Sequence, residues 1–261
     1  MAAERPKVLI TGANGLIGSL VRRDLSDRYR FSGLSRHPVE GIPYTTASVT
    51  DLEAVRRAVA GQDMVLHLAG ETKNADNWDD HFNVTAGGTV NVFRAADEAG
   101  IRRVVFMSTG STMCGWEWDD SLPYGKLARG EWDQVSEWEM LNDRTPARPD
   151  SPYACAKLFG EAIARWHSDQ TPMSVLVIRL GAVLASNHPE LIRHFPGFLD
   201  QADAVQMVDR CLSAPESVRF GIFDAISENW SRWRDTTPAK EVLGWRPTGS
   251  SDRFDKSALT R

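Results

Sequence analysis

The stretch TGANGLIG spaces Gly12, Gly15 and Gly18 as in a turn that can cradle a pyrophosphate. The first glycine permits a tight turn, and the second lets the backbone approach the anion. The third lets the next helix pack against the preceding strand. Bare N–H groups and the dipole at the helix start then hold the charge. A dinucleotide is the expected ligand, with Asn14, Leu16 and Ile17 of the same turn as further contacts. An acid at the end of the second strand would hold a ribose 2′-hydroxyl, whereas an arginine would meet a 2′-phosphate. The sequence there is FSGLSRHP, with no acid between Asp27 and Glu40 and with Arg36 at the expected strand end. NADP is therefore favoured and NAD is the alternative; a surface charge is the plain reading of Arg36.

Tyr153 and Lys157 stand four residues apart in YACAK, a spacing that shares one helix face. A free phenol titrates near ~10, so working as a base at neutral pH needs a shift of about 3 units, or about 4 kcal/mol. A lysine ammonium and an oxidised nicotinamide ring both favour the phenolate. A tyrosine tuned in this way is a general acid or base for a hydroxyl–carbonyl pair.

Such residues must be positioned by a frame. Short β-rich runs alternate with amphipathic stretches, the pattern of a parallel sheet covered on both faces. Strands are expected at Lys7–Ile10, Arg30–Ser35, Met64–His67, Arg103–Ser108 and Ser174–Arg179. Helices are expected at Gly15–Asp27, Asp51–Ala60, Asn91–Gly100 and Pro152–Gln170. After Gly181 the pieces shorten to a helix at Ala202–Ser213, a strand near Arg219–Phe223 and a short helix before Gly244. The expected architecture is an α/β, Rossmann-type doubly wound parallel sheet over residues 1–180, with a small substrate-covering subdomain over 181–261.

Composition excludes other classes. Thirty basic against 35 acidic residues give a net charge of −5 without any Lys/Arg-rich run, which argues against a nucleic-acid partner. The apolar run Val8–Ile10 is far too short for a signal peptide. Met173–Ala185 contains Arg179 and falls short of the ~18 residues of a membrane span. Cys114, Cys155 and Cys211 form neither a CxxC nor an even disulfide framework. His188 and His194 lack zinc-type spacing, and no G-x-S-x-G elbow occurs. A cytoplasmic protein is expected, a homo-oligomer (dimer) with no metal and no membrane partner.

Together with the glycine turn and YACAK, several runs resemble one family: Asp51–Leu52 after the third strand, HLAG at His67–Gly70, MST at Met107–Thr109 and the late LGWRP. The chain resembles the extended short-chain dehydrogenase/reductases of the NAD-dependent epimerase/dehydratase family over nearly its whole length. ARPDSPYACAKLFGEAIARW, Ala147 to Trp166, is similar to the hexuronate (uronate) dehydrogenases within it. Those enzymes oxidise a cyclic uronic acid at its anomeric carbon, passing hydride to a nicotinamide cofactor. The resemblance implies that Tyr153 is the base and that Lys157 holds the nicotinamide ribose. It implies that Asp51 and Leu52 flank the adenine, that Leu68, Ala69 and Gly70 line the cofactor cleft, and that Thr72 and Ser111 touch substrate. It also implies that Arg193, ten residues before Asp203, clamps a sugar carboxylate; a solvated arginine on a short helix is the plain reading. STGST leaves two registers for the active-site hydroxyl, Thr109 or Ser111. Asn83 to Asn91 is longer than the family's usual Asn-to-Asn spacing, which puts a supporting role for Asn83 in question. His67 reads as structural.

Between Trp116 and Asp143 lie eight acids against two bases, Lys126 and Arg129, with four of the nine tryptophans (Trp116, Trp118, Trp132 and Trp138). This insert 116–143 joins the active-site strand to the Tyr153 helix. It is either a sugar-stacking lid, a subunit-contact flap or a satellite cluster with tryptophan as its core. The function expected is an NAD(P)-dependent oxidoreductase acting on a small sugar or sugar acid. The alternatives are a nucleotide-sugar epimerase or dehydratase using the same pair, and a non-catalytic NADP-binding sensor or scaffold.

Overall fold

The computed structural model describes residues 4–256. Seven strands form one parallel sheet: β1 (Lys7–Thr11), β2 (Arg30–Ser35), β3 (Tyr44–Thr46), β4 (Met64–His67), β5 (Arg103–Thr109), β6 (Ser174–Leu180) and β7 (Phe220–Ala225). The spatial order β3-β2-β1-β4-β5-β6-β7 makes the sheet doubly wound and reverses direction between β1 and β4. The helices are α1 (Leu16–Leu25), α2 (Leu52–Val59), α3 (Trp78–Asp80), α4 (Gly87–Glu98), α5 (Pro123–Arg129), α6 (Pro152–Gln170), α7 (His194–Gly197), α8 (Gln201–Leu212) and α9 (Thr237–Leu243).

Successive side chains along a strand point to opposite faces, so the apolar runs feed two cores. Val8, Ile10, Leu66 and Ile178 join one cluster with residues of α1 and α8. Leu9, Val65, Val104 and Val177 join the other with residues of α2 and α4. Burying both faces is why the central strands read as continuous Val/Ile/Leu runs. β3 is three residues long and largely exposed at the sheet edge, and such a short run gives no apolar signal in the sequence.

The boundary expected at residue 180 does not separate two cores. β7 completes the sheet by pairing with β6, and Leu199, Val208 and Trp245 belong to the same cluster as Val8 and Ile10. The tail therefore buries apolar surface against the sheet itself. In the insert, Tyr124, Leu127, Val135 and Leu141 form a third cluster with Trp233 of the tail, against which Trp116, Trp132 and Trp138 pack. The satellite-core reading describes these three tryptophans; Trp118 is exposed.

A π-helical turn, His81–Ala86, leads into α4. It lengthens the path between Asn83 and Asn91 while α4 stays packed on α2, and Asn83 itself is exposed. His67 is fully buried, with Nδ1 at 2.7 Å from Thr11 Oγ1 and Nε2 at 3.0 Å from Thr89 Oγ1, tying β1, β4 and α4 together. Burial, with the nearby Lys157 cation, pushes its pKa down to about 3.

Unfolded histidine takes up a proton below about 6.5, whereas native His67 stays neutral to about 3. The unfolded state thus binds more protons between those values, and this contribution to stability falls as pH drops through that window. In thermal melts, His67→Gln should lose less stability than the parent between neutral pH and about 4. Equal acid sensitivity of the two proteins would mean that His67 is not held neutral.

Candidate active site

The site opens where the strand order reverses, outside the carboxyl ends of β1 and β4, the place where open α/β sheets bind ligands. A cavity of about 600 Å³ runs from the glycine turn to α6. Gly12, Asn14, Gly15, Leu16, Ile17 and Gly18 form one wall. Gly12 has φ +71°, and a Cβ there would stand 2.9 Å from the Ala69 backbone nitrogen; a Cβ on Gly18 would stand 2.8 Å from the Ala13 carbonyl. Only glycine lets β1, β4 and α1 approach this closely. The α1 N-terminus has no side-chain cap, whereas Asp51 caps α2 and Ser151 caps α6. Free N–H donors facing a Gly-lined cavity fit a dinucleotide pyrophosphate.

Arg36, Leu68, Ala69, Gly70 and Thr72 also line the cavity. Arg36 Nη2 lies 3.8 Å from Glu71 Oε2, and the Glu71 carboxylate accepts from the backbone N–H groups of Thr72 and Lys73. Asp51 and Leu52 are not in the wall. The Asp51 side chain accepts from Ala54 N and Leu52 packs on the core, leaving Ala47, Ser48 and Val49 to face the cavity. Sequence reasoning missed those three, which sit just upstream of the Asp51–Leu52 pair. It also missed Leu180 and Gly181 at the end of β6, whose only sequence signal was the glycine ending an apolar run.

At the other end of the cavity lie Thr109, Tyr153 and Lys157. Ser151 accepts from Ala154 N and Pro152 occupies the first helical turn, so α6 starts immediately before Tyr153. A Cβ on Gly160 would stand 2.4 Å from the Phe106 ring, so this face of α6 lies directly on β5. Lys157 Nζ donates to the Met107 carbonyl at 2.8 Å and sits 5.8 Å from the Tyr153 ring centroid. Desolvation pushes the Tyr153 phenol up to about 12 and pulls the Lys157 ammonium down to about 8. Burial alone thus favours the protonated phenol, and a cation brought in by a ligand would favour the phenolate.

Of the two hydroxyl registers, Thr109 faces the cavity, and its Oγ1 accepts from Ser111 N at 3.2 Å. Ser111 lies outside the wall, its carbonyl accepting from Asp150 N. Ser108 borders the cavity too, but its hydroxyl donates inward to Glu161. Arg193 is also outside: its Nε donates to Glu117 Oε2 at 2.7 Å and its Nη2 to Asp150 Oδ2 at 2.8 Å. None of the insert's tryptophans lines the cavity; the Nε1 groups of Trp116, Trp132 and Trp138 donate to the carbonyls of Pro146, Leu127 and Arg232. A sugar-stacking lid is not what the indoles build here.

Residues 8–235 match the NAD dependent epimerase/dehydratase family, and the chain belongs to it. It is 28% identical to an L-arabinose 1-dehydrogenase (NAD(P)(+)) of Haloferax volcanii, covering 94% of this chain and 97% of that one. It is 30% identical to an NAD-dependent glucose-6-phosphate dehydrogenase of the same organism, covering 95% of each. A uronate dehydrogenase of Pseudomonas putida is 28% identical over 95% of this chain and 86% of its own. The fold matches a solved uronate dehydrogenase from Agrobacterium tumefaciens with TM-score 0.79 and 24% identity, covering 96% of this chain and 87% of that one.

Proposed function

We propose that this family member is an NAD(P)-dependent dehydrogenase that oxidises a CH–OH group of a small sugar or sugar acid. The observation that carries this reading is one continuous cavity with the Gly12–Gly18 turn at one end and Thr109, Tyr153 and Lys157 at the other. Three relatives that cover 94–95% of the chain are dehydrogenases of sugars or uronates, which supports the same class.

The α1 N-terminus and the glycine turn would hold the pyrophosphate, and Ser48 and Val49 would border the adenine. Lys157 would reach the nicotinamide ribose. When bound, the oxidised nicotinamide supplies the hydride acceptor and a positive charge. Thr109 Oγ1 orients the substrate hydroxyl. Tyr153 Oη takes the hydroxyl proton as the carbon gives up its hydride, so the sugar loses two electrons and two hydrogens as a carbonyl or lactone forms. A nucleotide-sugar epimerase would recycle its cofactor, so net formation of reduced dinucleotide with simple sugars separates the two. Tyr153→Phe should retain the fold and dinucleotide binding and lose about 100- to 10,000-fold in turnover. Retained activity would move the chemistry off α6.

Arg36 at the adenosine end supports a preference for NADP, with Glu71 near enough to tether the guanidinium toward the cavity. Arg36→Asp should lower the NADP-to-NAD affinity ratio by at least about tenfold, because it removes a phosphate partner and supplies a ribose-hydroxyl acceptor. Tighter binding of NAD than NADP by the parent protein in calorimetry would refute this preference.

A dimer through the outer faces of α4 and α6 is supported by the apolar side chains they leave exposed. Phe159 and Trp166, seven residues apart on α6, are 50% and 58% exposed, and Phe82 and Val90 near the start of α4 are exposed as well. Trp166→Glu should shift the protein toward monomer in size-exclusion chromatography with light scattering; an unchanged mass would place any subunit contact elsewhere. Three unbridged cysteines suit a reducing compartment such as the cytoplasm. Among the described residues no helix is long and apolar enough to cross a membrane.

A further inference from the structure

The loop leading to α7 carries Arg193 to the end of β5, next to the reacting end of the cavity. Thr109 lines that cavity, and two residues later the Ser111 carbonyl accepts from Asp150 N, whose side chain holds Arg193. Glu117, from the insert, takes the Nε edge of the same guanidinium. The Glu117 and Asp150 side chains are only 9% and 11% exposed, while that of Arg193 is 48% exposed. One cation is thus shared between two nearly buried carboxylates, and the trio carries a net negative charge.

Three other cations around β5 are also engaged. Arg234 packs on Gly110, where a Cβ would stand 2.2 Å from its Nη1, and that nitrogen donates to Asp224 Oδ1 at 2.8 Å. Arg179 is doubly bonded to Glu161. Lys157 is bonded to the Met107 carbonyl, and Lys73 is exposed at the cavity wall beyond Thr72. To be clamped by Arg193, a sugar carboxylate would have to draw the guanidinium from two nearly buried carboxylates, of which Glu117 would keep only the more distant charge of Arg234.

We infer that Glu117 and Asp150 are built-in counter-ions that occupy Arg193 and set the substrate class as a neutral aldose in place of a sugar acid. This rests on the dehydrogenase reading above and narrows its substrate. The carboxylate clamp that the sequence suggested for Arg193 is filled from within the chain, and half of that filling comes from the acidic insert. Glu117 and Asp150 act as specificity-determining residues through Arg193, without any contact of their own with the reacting atoms.

The test uses the full chain with NAD and with NADP. Glucose, galactose and arabinose are compared with glucuronate and galacturonate, by reduced-cofactor formation and by calorimetric titration of each sugar into the Tyr153→Phe protein. Neutral sugars should give a kcat/KM at least about 30-fold above the matching uronic acids, with the same order in direct binding. The double variant Glu117→Gln/Asp150→Asn should raise kcat/KM for the uronic acids by about tenfold or more while changing the neutral sugars by less than about threefold. A parent protein that prefers uronic acids in turnover or in binding overturns the inference and leaves the dehydrogenase reading standing. A folded double variant with no gain on uronic acids also overturns it. If the double variant does not fold, the preference of the parent protein decides. Absence of reduced cofactor with every sugar would remove the dehydrogenase reading itself, and the assigned substrate class would fall with it.

Discussion

The buried carboxylate of Glu161 fixes how α6 sits on the sheet. It accepts from Ser108 Oγ on β5 at 2.6 Å and from Arg179 on β6 through both Nε and Nη2. Both members of the ion pair have side chains only 3% exposed. Removing one partner of such a pair leaves a buried charge and costs about 3–5 kcal/mol, so α6 cannot slide or turn without a large penalty. Lys157 lies one turn before Glu161 and Tyr153 one turn before that. Their positions relative to Thr109 are set by this contact together with the close approach of Gly160 to Phe106. The pair holds geometry more than it adds stability, since well-packed apolar residues of the same volume would serve stability as well.

That rigidity has an electrostatic consequence. Packing α6 so tightly takes Tyr153 and Lys157 out of water, which favours the neutral form of each. The phenol moves up and the ammonium moves down, so in the free protein neither is shifted by the other toward the charged state. The sequence expectation, in which Lys157 and an oxidised nicotinamide together favour the phenolate, does not include this desolvation. A bound oxidised nicotinamide brings a permanent cation into the same dry space, where its field is far stronger than in water. If Tyr153 is the base proposed above, its activation would be coupled to cofactor binding, because burial alone favours the protonated phenol.

How much the sequence shows depends on whether a feature is local. The parallel sheet, the glycine turn and the Tyr153–Lys157 helix are encoded in contiguous runs, and their bounds shift by only a few residues: the expected helix Pro152–Gln170 matches, while β5 and β6 each run one residue further. Asp51 shows a local signal with two meanings, since an acid before an apolar helix is both a helix cap and a candidate ligand group, and here its oxygen is spent on Ala54 N. What escaped were the pairings made across the fold. Nothing in the sequence marks Glu161 as the partner of Arg179, and nothing marks Glu117 and Asp150 as the partners of Arg193. The π-helical turn at His81–Ala86 is also unmarked, because an extra residue in a helix leaves only an irregular spacing.

The acidic insert shows why composition alone misleads about a loop over an active site. Tryptophans there suggest stacking on sugar, yet an indole with no partner for its N–H is costly to bury, and three of these N–H groups bond to carbonyls: Trp132 within the insert, Trp116 to Pro146 just after it and Trp138 in the tail. The consequence is mechanical. Trp138 bonds to the Arg232 carbonyl, Leu141 N bonds to the Trp233 carbonyl and Asp235 N to the Leu141 carbonyl, so the insert clamps the segment Arg232–Asp235 on both sides. Arg234, in the middle of that clamp, packs its guanidinium on Gly110, the residue after Thr109. Insert and tail thus press together on the end of β5 from outside the cavity. A side chain at position 110 would have to displace a buried arginine paired with Asp224, which is why the turn after Thr109 requires glycine there and holds the hydroxyl in place. The insert therefore shapes the site through the backbone beneath it, and the tryptophans are needed for that as core and not as contacts to substrate.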